Sequence, residues 1–358
     1  MKKRISLVLL VLVIITVAVF ADGQGEGTSG AKRYKIGAVV PTLNAQFWNN
    51  YVNFMKTGAE ELGVDLVVLN CDNKADLLPK HIEDLVSQGV DGMIIVPYWA
   101  GDRKALKETQ DADIPLIFTD VYSNVQPQGS DYPNYIAFVG PSDEEAGYQM
   151  AKALFAEMQT NSEGEKIIGW VEGTPGTSVA TDRNKGLERA LGEHPEVVVA
   201  GKVNGNFVRD ESQAAFESLY QAHPEITGVW AANGGTATGV MTAIRNAGKI
   251  PGKDIHVVGM DLNQENVVAV KQGDLLFDIG GHWLQGGFAL VIMYDWLNGQ
   301  KIPESQANIK LGLLPLMKDK VALFEERYPD GVPAYDFKSH SKTYTPDAPF
   351  AVFELSYD

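Results

Sequence analysis

The chain has 358 residues, 45% of them hydrophobic and 21% charged, so it has room for two ordinary globular domains, and neither a low-complexity nor a solenoid protein is expected. Its 46 acidic and 30 basic residues give a formal charge of −16, which disfavours nucleic acid and anionic membranes as partners. The single cysteine, Cys71, excludes an internal disulfide and a zinc site built from several cysteines.

The first 21 residues have the pattern of a secretory signal peptide. Residues 1–4 carry three basic side chains, residues 5–20 are a nearly continuous apolar run, and Ala21 ends a small-x-small cleavage site. The run has 16 residues, fewer than the about 20 that a membrane-spanning helix needs, so a retained anchor is the weaker alternative. We predict cleavage after Ala21, export to the periplasm and a flexible leader over residues 22–33.

Short apolar runs alternate along the rest of the chain with longer stretches of helical periodicity. Apolar runs of four to eight residues that end at turn signals are typical of strands buried in a parallel sheet. The predicted strands are residues 35–40, 65–70, 92–97, 115–119, 135–139, 166–172, 197–203, 228–232, 255–260 and 275–279. The predicted helices lie near residues 46–62, 78–88, 103–111, 143–158, 177–193, 210–222, 236–248, 263–272 and 283–298.

This alternation predicts βαβ units with right-handed crossovers and parallel sheets. The strands fall into two series, which favours an α/β fold with two doubly wound, Rossmann-like lobes. A (β/α)₈ barrel is the competing architecture, but residues 121–134 form a long polar loop that interrupts any single even series of units. Ser142 and Glu145 have the spacing of a capping box, which predicts a helix start at residue 143.

The C-terminal part of the chain, residues 313–358, has a different character. It contains prolines and aromatic residues without a strand or helix period, except that residues 318–328 are predicted to form a short helix. The remainder is expected to be irregular chain on the surface.

Aromatic, carboxylate, amide and guanidinium side chains follow the predicted strands, at the edge where parallel α/β sheets bind ligands. They are Phe47, Trp48, Tyr98, Trp99, Asp120, Arg183, Asn233, Asp261, His282 and Trp283. Flat rings contact the C–H faces of sugars, and a carboxylate accepts hydrogen bonds from neighbouring hydroxyls, so this mixture indicates a carbohydrate site. The competing interpretation places the rings in the hydrophobic core and makes Asp120 and Asp261 helix N-caps.

Several segments together resemble the sugar-binding proteins of bacterial ABC importers. They read IGAVVPTLNAQFW, ELGVDLVVLNCDN, DLVSQGVDGMIIVP, IPLIFTD, GTSVATDRNKGL, HPEITGVWAAN and VVGMDLN, and the resemblance covers about residues 34–312. The pattern is that of the ribose-binding type of periplasmic binding protein, which shares its fold with LacI-type repressor cores. The resemblance implies a type I periplasmic binding protein: two lobes joined by a three-segment hinge, with ligand in the cleft.

The resemblance also assigns residues one at a time. Phe47 and Trp48 match the family's aromatic pair that sandwiches the sugar, and Phe207 matches the aromatic residue that faces the ligand from the second lobe. Asp120, Arg183, Asn233 and Asp261 match its polar contacts. Ser142 is added as a further candidate ligand contact.

Three positions depart from the ribose pattern. Ala45 stands where an asparagine is usual, Val121 replaces an arginine, and Gly281 stands where a glutamine usually binds. His282, Trp283 and Trp99 are candidates to refill the space. A differently shaped sugar, a polyol or a cyclitol therefore fits as well as ribose.

The resemblance implies a division of the chain after the signal peptide and leader. The N-terminal lobe comprises residues 34–141 and 283–311, the C-terminal lobe residues 142–282 and 312–320, and residues 321–358 are an extension. The expected partners are a small sugar or polyol and the membrane permease, and the protein is expected to be monomeric and to need no cofactor. No two of its six histidines have metal-site spacing, so no metal is expected.

Other functions are weaker alternatives. An exported α/β hydrolase or dehydrogenase needs a nucleophile–base pair or a phosphate loop, and the glycine-rich turns at residues 176–180 and 234–239 match neither motif. A sensory module that presents bound ligand to a chemoreceptor or sensor kinase shares every feature of a transport protein. A repressor would carry a DNA-binding headpiece where the signal peptide stands.

Overall fold

A computed structural model of the protein describes residues 33–350 and 355–357, so the predicted signal peptide and nearly all of the leader lie outside the described residues. The strands are β1 (Lys35–Val40), β2 (Asp65–Asn70), β3 (Gly92–Ile95), β4 (Leu116–Thr119), β5 (Tyr135–Pro141), β6 (Lys166–Glu172), β7 (Val197–Asn204), β8 (Gly228–Ala231), β9 (His256–Val258), β10 (Asp278–Gly280), β11 (Asn308–Leu311) and β12 (Leu314–Leu316).

The helices are α1 (Gln46–Leu62), α2 (Leu77–Ser87), α3 (Asp102–Asp111), α4 (Asp143–Glu157), α5 (Ser178–Glu193), α6 (Arg209–Ala222), α7 (Gly234–Asn246), α8 (Gln264–Gln272), α9 (Gln285–Leu297) and α10 (Val321–Arg327). Short 3-10 helices occupy His282–Leu284, Glu304–Gln306, Lys318–Lys320 and Pro329–Gly331. Within the described residues, no helix combines the length and the apolar character that crossing a membrane requires.

The first lobe is built on a six-stranded sheet in the order β11-β5-β4-β3-β1-β2, with every pair parallel. Its strands are apolar on both faces because helices cover both. Ala38 and Val40 face a cluster that contains α1 and α9, whereas Val39 between them faces a cluster that contains α2 and α3. This alternation is the period of two that a strand imposes on its side chains.

The second lobe is built on a four-stranded parallel sheet in the order β7-β6-β8-β9. Residues of α4 and α5 cover one face, where Trp230 of β8 is fully buried, and residues of α6 and α7 cover the other. Strand β10 extends this sheet through parallel bridges from Val258 to Phe277 and from Asp261 to Gly280. The α/β fold with two parallel-sheet lobes that the sequence predicts is confirmed.

Most predicted elements are present within one or two residues of their predicted ends, but two strands were missed. Strand β11 pairs in parallel with β5 in the first sheet, and β12 pairs antiparallel with β10. The chain therefore crosses between the lobes near residues 141–143, 281–285 and 311–314. These are the three crossings that a three-segment hinge requires.

The predicted capping box at Ser142 is wrong. Ser142 precedes α4 with φ −82° and ψ 72°, and its side chain makes no capping hydrogen bond. Its N–H instead donates to the carbonyl of Leu311, 3.0 Å away, because the pairing of β5 with β11 continues to this residue. The carboxylate of Glu145 binds Arg189 at 2.7 Å rather than the backbone of Ser142.

The C-terminal tail after α10 does more than cover the surface. Helix α10 lies against α8 of the second lobe, where Glu325 pairs with Lys271 at 2.8 Å. Phe337 is fully buried in the first lobe, with its ring centroid 5.0 Å from that of Phe54 in α1. The tail therefore makes a further crossing between the lobes, on residues that lie beyond the predicted hinge.

Candidate functional site

A cavity of about 810 Å³ opens at the carboxyl ends of the strands of both lobes. Residues that follow β1, β3 and β4 line it from the first lobe, and residues that follow β6 to β10 line it from the second. They include Thr42, Tyr98, Asp120, Thr174, Asn206, Asn233, Asp261 and His282. The volume is within the range of about 300–1,000 Å³ that small-molecule sites occupy.

Trp283 and Ser142 lie outside this cavity, whereas Tyr98 and nine other candidate residues line it. The nine are Phe47, Trp48, Trp99, Asp120, Arg183, Phe207, Asn233, Asp261 and His282. Ser142 does not line the cavity; it lies at the start of α4 with its N–H bonded to β11. Contact of these nine residues with a ligand stays a prediction.

Phe47 and Trp48, in the first turn of α1, form one aromatic wall. Their ring centroids are 4.9 Å apart with planes at 88°, and the imidazole of His282 lies 4.6 Å from Phe47 on a tilted plane. Phe47 and Trp48 are only 6% and 8% exposed, and both belong to the main hydrophobic cluster. They are therefore core residues that also line the cavity, and their direct contact leaves no gap for a sugar ring between the two.

Asp120 follows β4 in a left-handed conformation with φ 66° and is 3% exposed. Its carboxylate Oδ1 accepts a hydrogen bond of 3.0 Å from the side-chain amide of Gln285. Burial raises the pKa of Asp120, against the positive charge of Arg183 and the Gln285 hydrogen bond. Asp120 is not a helix N-cap, so its carboxylate is available to the cavity.

Arg183 enters from α5 and is held by two groups of the second lobe. Nε donates to Asp143 Oδ1 at 2.8 Å and Nη1 donates to the carbonyl of Ala232 at 2.9 Å. The guanidinium also lies over the ring of Phe207, 5.4 Å from its centroid. Among the described residues Nη2 has no hydrogen-bond partner, so this atom is the donor that Arg183 offers to the cavity.

Asn233 and Asp261 both bind the N-terminus of α7. Asn233 is its N-cap, with Oδ1 accepting from the N–H of Thr236 at 2.8 Å, and Asp261 Oδ2 accepts from the N–H of Gly234 at 3.1 Å. Burial raises the pKa of Asp261 to about 7, although Arg183 lowers it. The Asn233 amide nitrogen donates one hydrogen bond to Asp261 Oδ2 at 3.4 Å, so Asp261 Oδ1 and the second N–H of that amide remain for the cavity. The predicted alternative of a helix-capping role for Asp261 therefore applies to Oδ2, which binds the N-terminus of α7, and not to Oδ1.

His282 is buried, and the desolvation of its ring together with the charge of Arg183 holds its pKa well below the usual value. Its Nε2 lies 3.7 Å from Asp261 Oδ1, and Nδ1 has no hydrogen-bond partner among the described residues. A neutral imidazole offers one donor and one acceptor. The neighbouring Trp283 does not refill the cavity, because it is 1% exposed and packs edge-on against Phe54.

The structure shows the surroundings of the three positions that depart from the ribose pattern. Ala45 caps α1 without a side-chain hydrogen bond, but the adjacent exposed Asn44 lines the cavity. Val121 is buried in the main hydrophobic cluster. Gly281 has φ 98°, and a Cβ there would lie 2.5 Å from the side chain of Leu355 in the tail, so a larger residue would strain the backbone and displace Leu355.

The cavity also concentrates backbone strain. Most non-glycine residues prefer negative φ, and a left-handed residue is a sign of an over-determined, functional position. The cavity-lining residues with positive φ are Asn73, Trp99, Asp120, Asn206, Phe207 and Asp261. Trp99 is placed at the mouth by this conformation and contacts Tyr98 with ring centroids 5.7 Å apart.

Several lining residues were missed by sequence reasoning. Thr174, Asn206 and Asn263 follow strands of the second lobe. A search of all polar residues that follow predicted strands would therefore have found them. Gln46 and Glu265 approach across the mouth, with the N–H of Glu265 donating to Gln46 Oε1 at 3.4 Å. No group of His, Cys, Asp or Glu within the described part of the chain is arranged to hold a metal ion.

A cavity between two parallel α/β lobes, walled by rings and carboxylates at the strand ends, defines a two-lobed ligand-binding protein. Residues 36–301 match the model of the periplasmic binding protein domain. The chain therefore belongs to the periplasmic binding protein family, as its segments predict.

Individual relatives agree. The chain is 28% identical over 318 residues to the ribose import binding protein RbsB of Bacillus subtilis (strain 168), covering 87% of this chain and 99% of that protein. It is 31% identical to RbsB of Salmonella typhimurium, covering 67% and 76%. The structure superposes on that of a periplasmic sugar-binding protein from Pseudomonas fluorescens with a TM-score of 0.77 and 27% identity, covering 88% of this chain and 96% of the other.

Proposed function

We propose that the protein captures a neutral monosaccharide, polyol or cyclitol in the cavity and delivers it to the permease of an ABC importer. The observation that carries the proposal is the convergence of aromatic rings, carboxylates and one guanidinium at the strand ends of both lobes. The relatives named as ribose import binding proteins supply the class of ligand.

The chemistry of the walls matches such a ligand. One C–H face of the sugar lies against Phe47 and Trp48 and the other face against Phe207. Its hydroxyls donate to Asp120 and Asp261 and accept from Arg183. Hydrogen bonds to charged groups contribute about 1.5–3 kcal/mol each, so three of them with stacking are enough for a micromolar complex at roughly −8 kcal/mol.

The carboxylates also restrict the ligand's charge. Asp120, Asp143 and Asp261 surround Arg183, and Arg183 is already paired with Asp143 at 2.8 Å. A phosphate or carboxylate group in the cavity would therefore meet two further carboxylates in a low-dielectric site, which costs free energy. Neutral sugars avoid this cost, so sugar phosphates and sugar acids are expected to be rejected.

The mechanism is closure of the two lobes about the crossings near residues 141–143, 281–285 and 311–314. Asp120 comes from the first lobe and Arg183, Asn233 and Asp261 from the second, so a ligand that binds both sets stabilises the closed arrangement over the open one. Gln46 of α1 and Glu265 of α8 approach each other across the mouth and would retain their hydrogen bond in the closed form. The permease would then recognise the closed surface.

The remaining parts of the proposal concern organisation and location. The N-terminal lobe comprises residues 34–141 and 283–311, and the C-terminal lobe residues 142–282 and 312–320, in keeping with the membership of β11 and β12 in the sheets. Residues 321–358 form a C-terminal extension that contacts both lobes. The mature protein would act as a monomer in the periplasm after removal of its signal peptide.

A thermal-shift screen tests the proposal. The mature protein is heated with D-ribose, D-allose, L-arabinose, xylitol and myo-inositol, with ribose 5-phosphate, amino acids and nucleosides as comparison ligands. At least one neutral sugar, polyol or cyclitol is expected to raise the melting temperature, and Asp120→Asn is expected to reduce that rise. Asp111→Asn, at an exposed surface carboxylate, is the matched control. Stabilisation by amino acids or nucleosides alone, or turnover of a bound sugar, would contradict the assignment.

A further inference from the structure

Gln285, the first residue of α9, makes a paired contact with Asp120 although 165 residues separate the two in the chain. Its Oε1 accepts a hydrogen bond of 3.1 Å from the N–H of Asp120, and its Nε2 donates one of 3.0 Å to Asp120 Oδ1. Gln285 is fully buried and does not line the cavity. A buried amide thus binds the backbone and the side chain of one cavity residue together.

We infer that Gln285 is a positioning residue for ligand binding: it locks Asp120 in its left-handed conformation and turns Oδ2 toward the ligand. This inference rests on the proposed function for its consequence on affinity, but its structural part does not. A residue with φ 66° and a side chain other than glycine needs compensating contacts to hold that conformation. The two bonds from Gln285 are such contacts, because each restrains a different part of Asp120.

The orientation of the amide is fixed by its partners. The N–H of Asp120 requires an acceptor, so Oε1 must face the backbone and Nε2 must face the carboxylate. The N–H of Asp120 has a second acceptor in the carbonyl of Val139 at 3.1 Å, so the backbone would keep a partner without Gln285. The carboxylate of Asp120 would keep no partner without Gln285, because no other hydrogen bond from the described residues reaches it. The carboxylate is therefore the group that depends on Gln285.

The charges around Asp120 make its pKa sensitive to the hydrogen bond that Gln285 donates. Asp120 lies among ionisable side chains of both signs, most of them buried. The opposite charges are Arg183 and Lys310, and the like charges are Asp143 and Asp261, with Tyr51 and Tyr98 also near. Because burial already raises the pKa of Asp120, loss of a neutral donor would raise it further and weaken its carboxylate as an acceptor.

Two substitutions separate positioning from packing. Gln285→Met keeps the length of the side chain and removes both hydrogen-bonding atoms. Gln285→Glu keeps both bonds when its carboxyl is protonated, since the O–H donates to Asp120 Oδ1 and the carbonyl oxygen accepts the N–H. When it ionises, two carboxylates face each other. Gln128→Met is the matched control. The side chain of Gln128 also donates two partly buried hydrogen bonds, to the carbonyls of Ile136 and Ile302, and it lies away from the cavity.

The first measurement needs no ligand. Carboxyl carbons of aspartate are labelled with ¹³C, the Asp120 signal is assigned with Asp120→Asn, and its titration is followed by NMR. The pKa of Asp120 is expected to rise in Gln285→Met and to be unchanged in Gln128→Met. An unchanged pKa in Gln285→Met overturns the inference whether or not the protein binds sugars.

The second measurement is the affinity for D-ribose, D-allose, L-arabinose, xylitol and myo-inositol by calorimetry. Gln285→Met is expected to bind any of these that the parent protein binds about tenfold more weakly, and Gln128→Met equally well. Gln285→Glu is expected to bind like the parent at pH 5.5 and to lose affinity as pH rises, which the parent does not. A pH-independent loss in Gln285→Glu would assign Gln285 to packing and overturn the inference. Absence of binding by the parent would refute the proposed function, and the NMR titration would still decide the role of Gln285.

Discussion

The imidazole of His282 lies against the ring of Phe47, with centroids 4.6 Å apart and planes inclined by 40°. Phe47 comes from the first turn of α1 and His282 from the segment that crosses between the lobes after β10. Because burial and Arg183 keep the pKa of His282 well below its usual value, the pair consists of two uncharged rings at pH 7. The aromatic wall of the cavity therefore packs against a hinge segment.

Phe47→Leu is expected to weaken sugar binding by about two- to tenfold, because a leucine loses the flat face that contacts ligand C–H groups. Leucine retains most of the apolar volume, so the fold survives, whereas alanine at this 6%-exposed position would cost about 3–5 kcal/mol of stability. Calorimetric titration with D-ribose, D-allose, xylitol and myo-inositol measures the change. Phe118→Leu, buried on the opposite face of the first sheet, is the control and should leave affinity unchanged.

Much of the site could be predicted from the sequence because ligands bind at the carboxyl ends of parallel strands. Parallel strands point their carboxyl ends to one edge of their sheet, so Trp48 and Asp120 had to lie near each other in the first lobe, and Asn233 and Asp261 in the second, if the βαβ pattern was right. The meeting of the two edges at one cavity followed from the resemblance to the family. The strong local signals behind that pattern also placed β1, α1 and β6 within a residue of their observed ends. Local periodicity was therefore sufficient for the lobes and for most of the cavity wall.

Contacts that no local pattern encodes were missed. Strands β11 and β12 are four and three residues long, too short to show a period, and their pairing depends on β5 and β10. Gln285 meets Asp120 only because α9 packs on the first sheet. Glu145 could not complete the capping box because β11, itself unpredicted, takes the N–H of Ser142. Each of these features depends on a tertiary contact that local preference alone does not specify.

Ligand affinity is expected to rise with pH between about 5.5 and 8. Burial raises the pKa of Asp261 to about 7, and sugar hydroxyls donate more favourably to the ionised carboxylate than to the protonated acid. Calorimetry at four pH values measures the slope. Asp261→Asn should bind more weakly and reduce the pH dependence, whereas Asp274→Asn, at a surface carboxylate paired with Arg245, should retain it.

The same carboxyl predicts the opposite trend for the ligand-free protein. The pKa of Asp261 is higher in the folded state than the 3.8 of an unperturbed aspartate, so its contribution to stability is complete below pH 4 and is lost as pH rises through about 7. Melting temperatures measured from pH 4.5 to 8 should therefore contain a component that falls with pH and is absent in Asp261→Asn. An identical pH profile in the two proteins would contradict the raised pKa.

Ser142→Ala is expected to change neither affinity nor stability measurably. The side chain of Ser142 makes no capping bond and does not line the cavity, so its loss should cost less than about 0.5 kcal/mol. Thr177→Ala is the matched comparison, because Thr177 caps α5 through its Oγ1, which accepts from the N–H of Ala180 at 3.3 Å. Denaturant unfolding should show a loss of about 1 kcal/mol for Thr177→Ala alone. A tenfold loss of sugar affinity in Ser142→Ala would return Ser142 to the site.

The C-terminal tail is expected to be part of the fold rather than a removable appendage. Phe337 is fully buried, and it fits because Gly58 and Gly287 leave a slot: a Cβ on either would lie within 3.0 Å of its ring. Asp295 holds the following turn, with Oδ1 accepting from the hydroxyl and N–H of Thr343 and Oδ2 accepting from the N–H of Lys342. The slot and the turn place the tail on α1 and α9.

Phe337→Ala should therefore lower the free energy of unfolding by about 3–5 kcal/mol, the cost of emptying an aromatic site in a core. Val332→Ala is the control in the same tail; its side chain is 42% exposed, so a change below about 0.5 kcal/mol is expected. Urea unfolding followed by tryptophan fluorescence gives both values. Equal stability of the two variants would mean that the tail does not pack into the first lobe in solution. A large loss for Phe337→Ala alone would show that the residues beyond the hinge stabilise the lobe that carries Phe47 and Asp120.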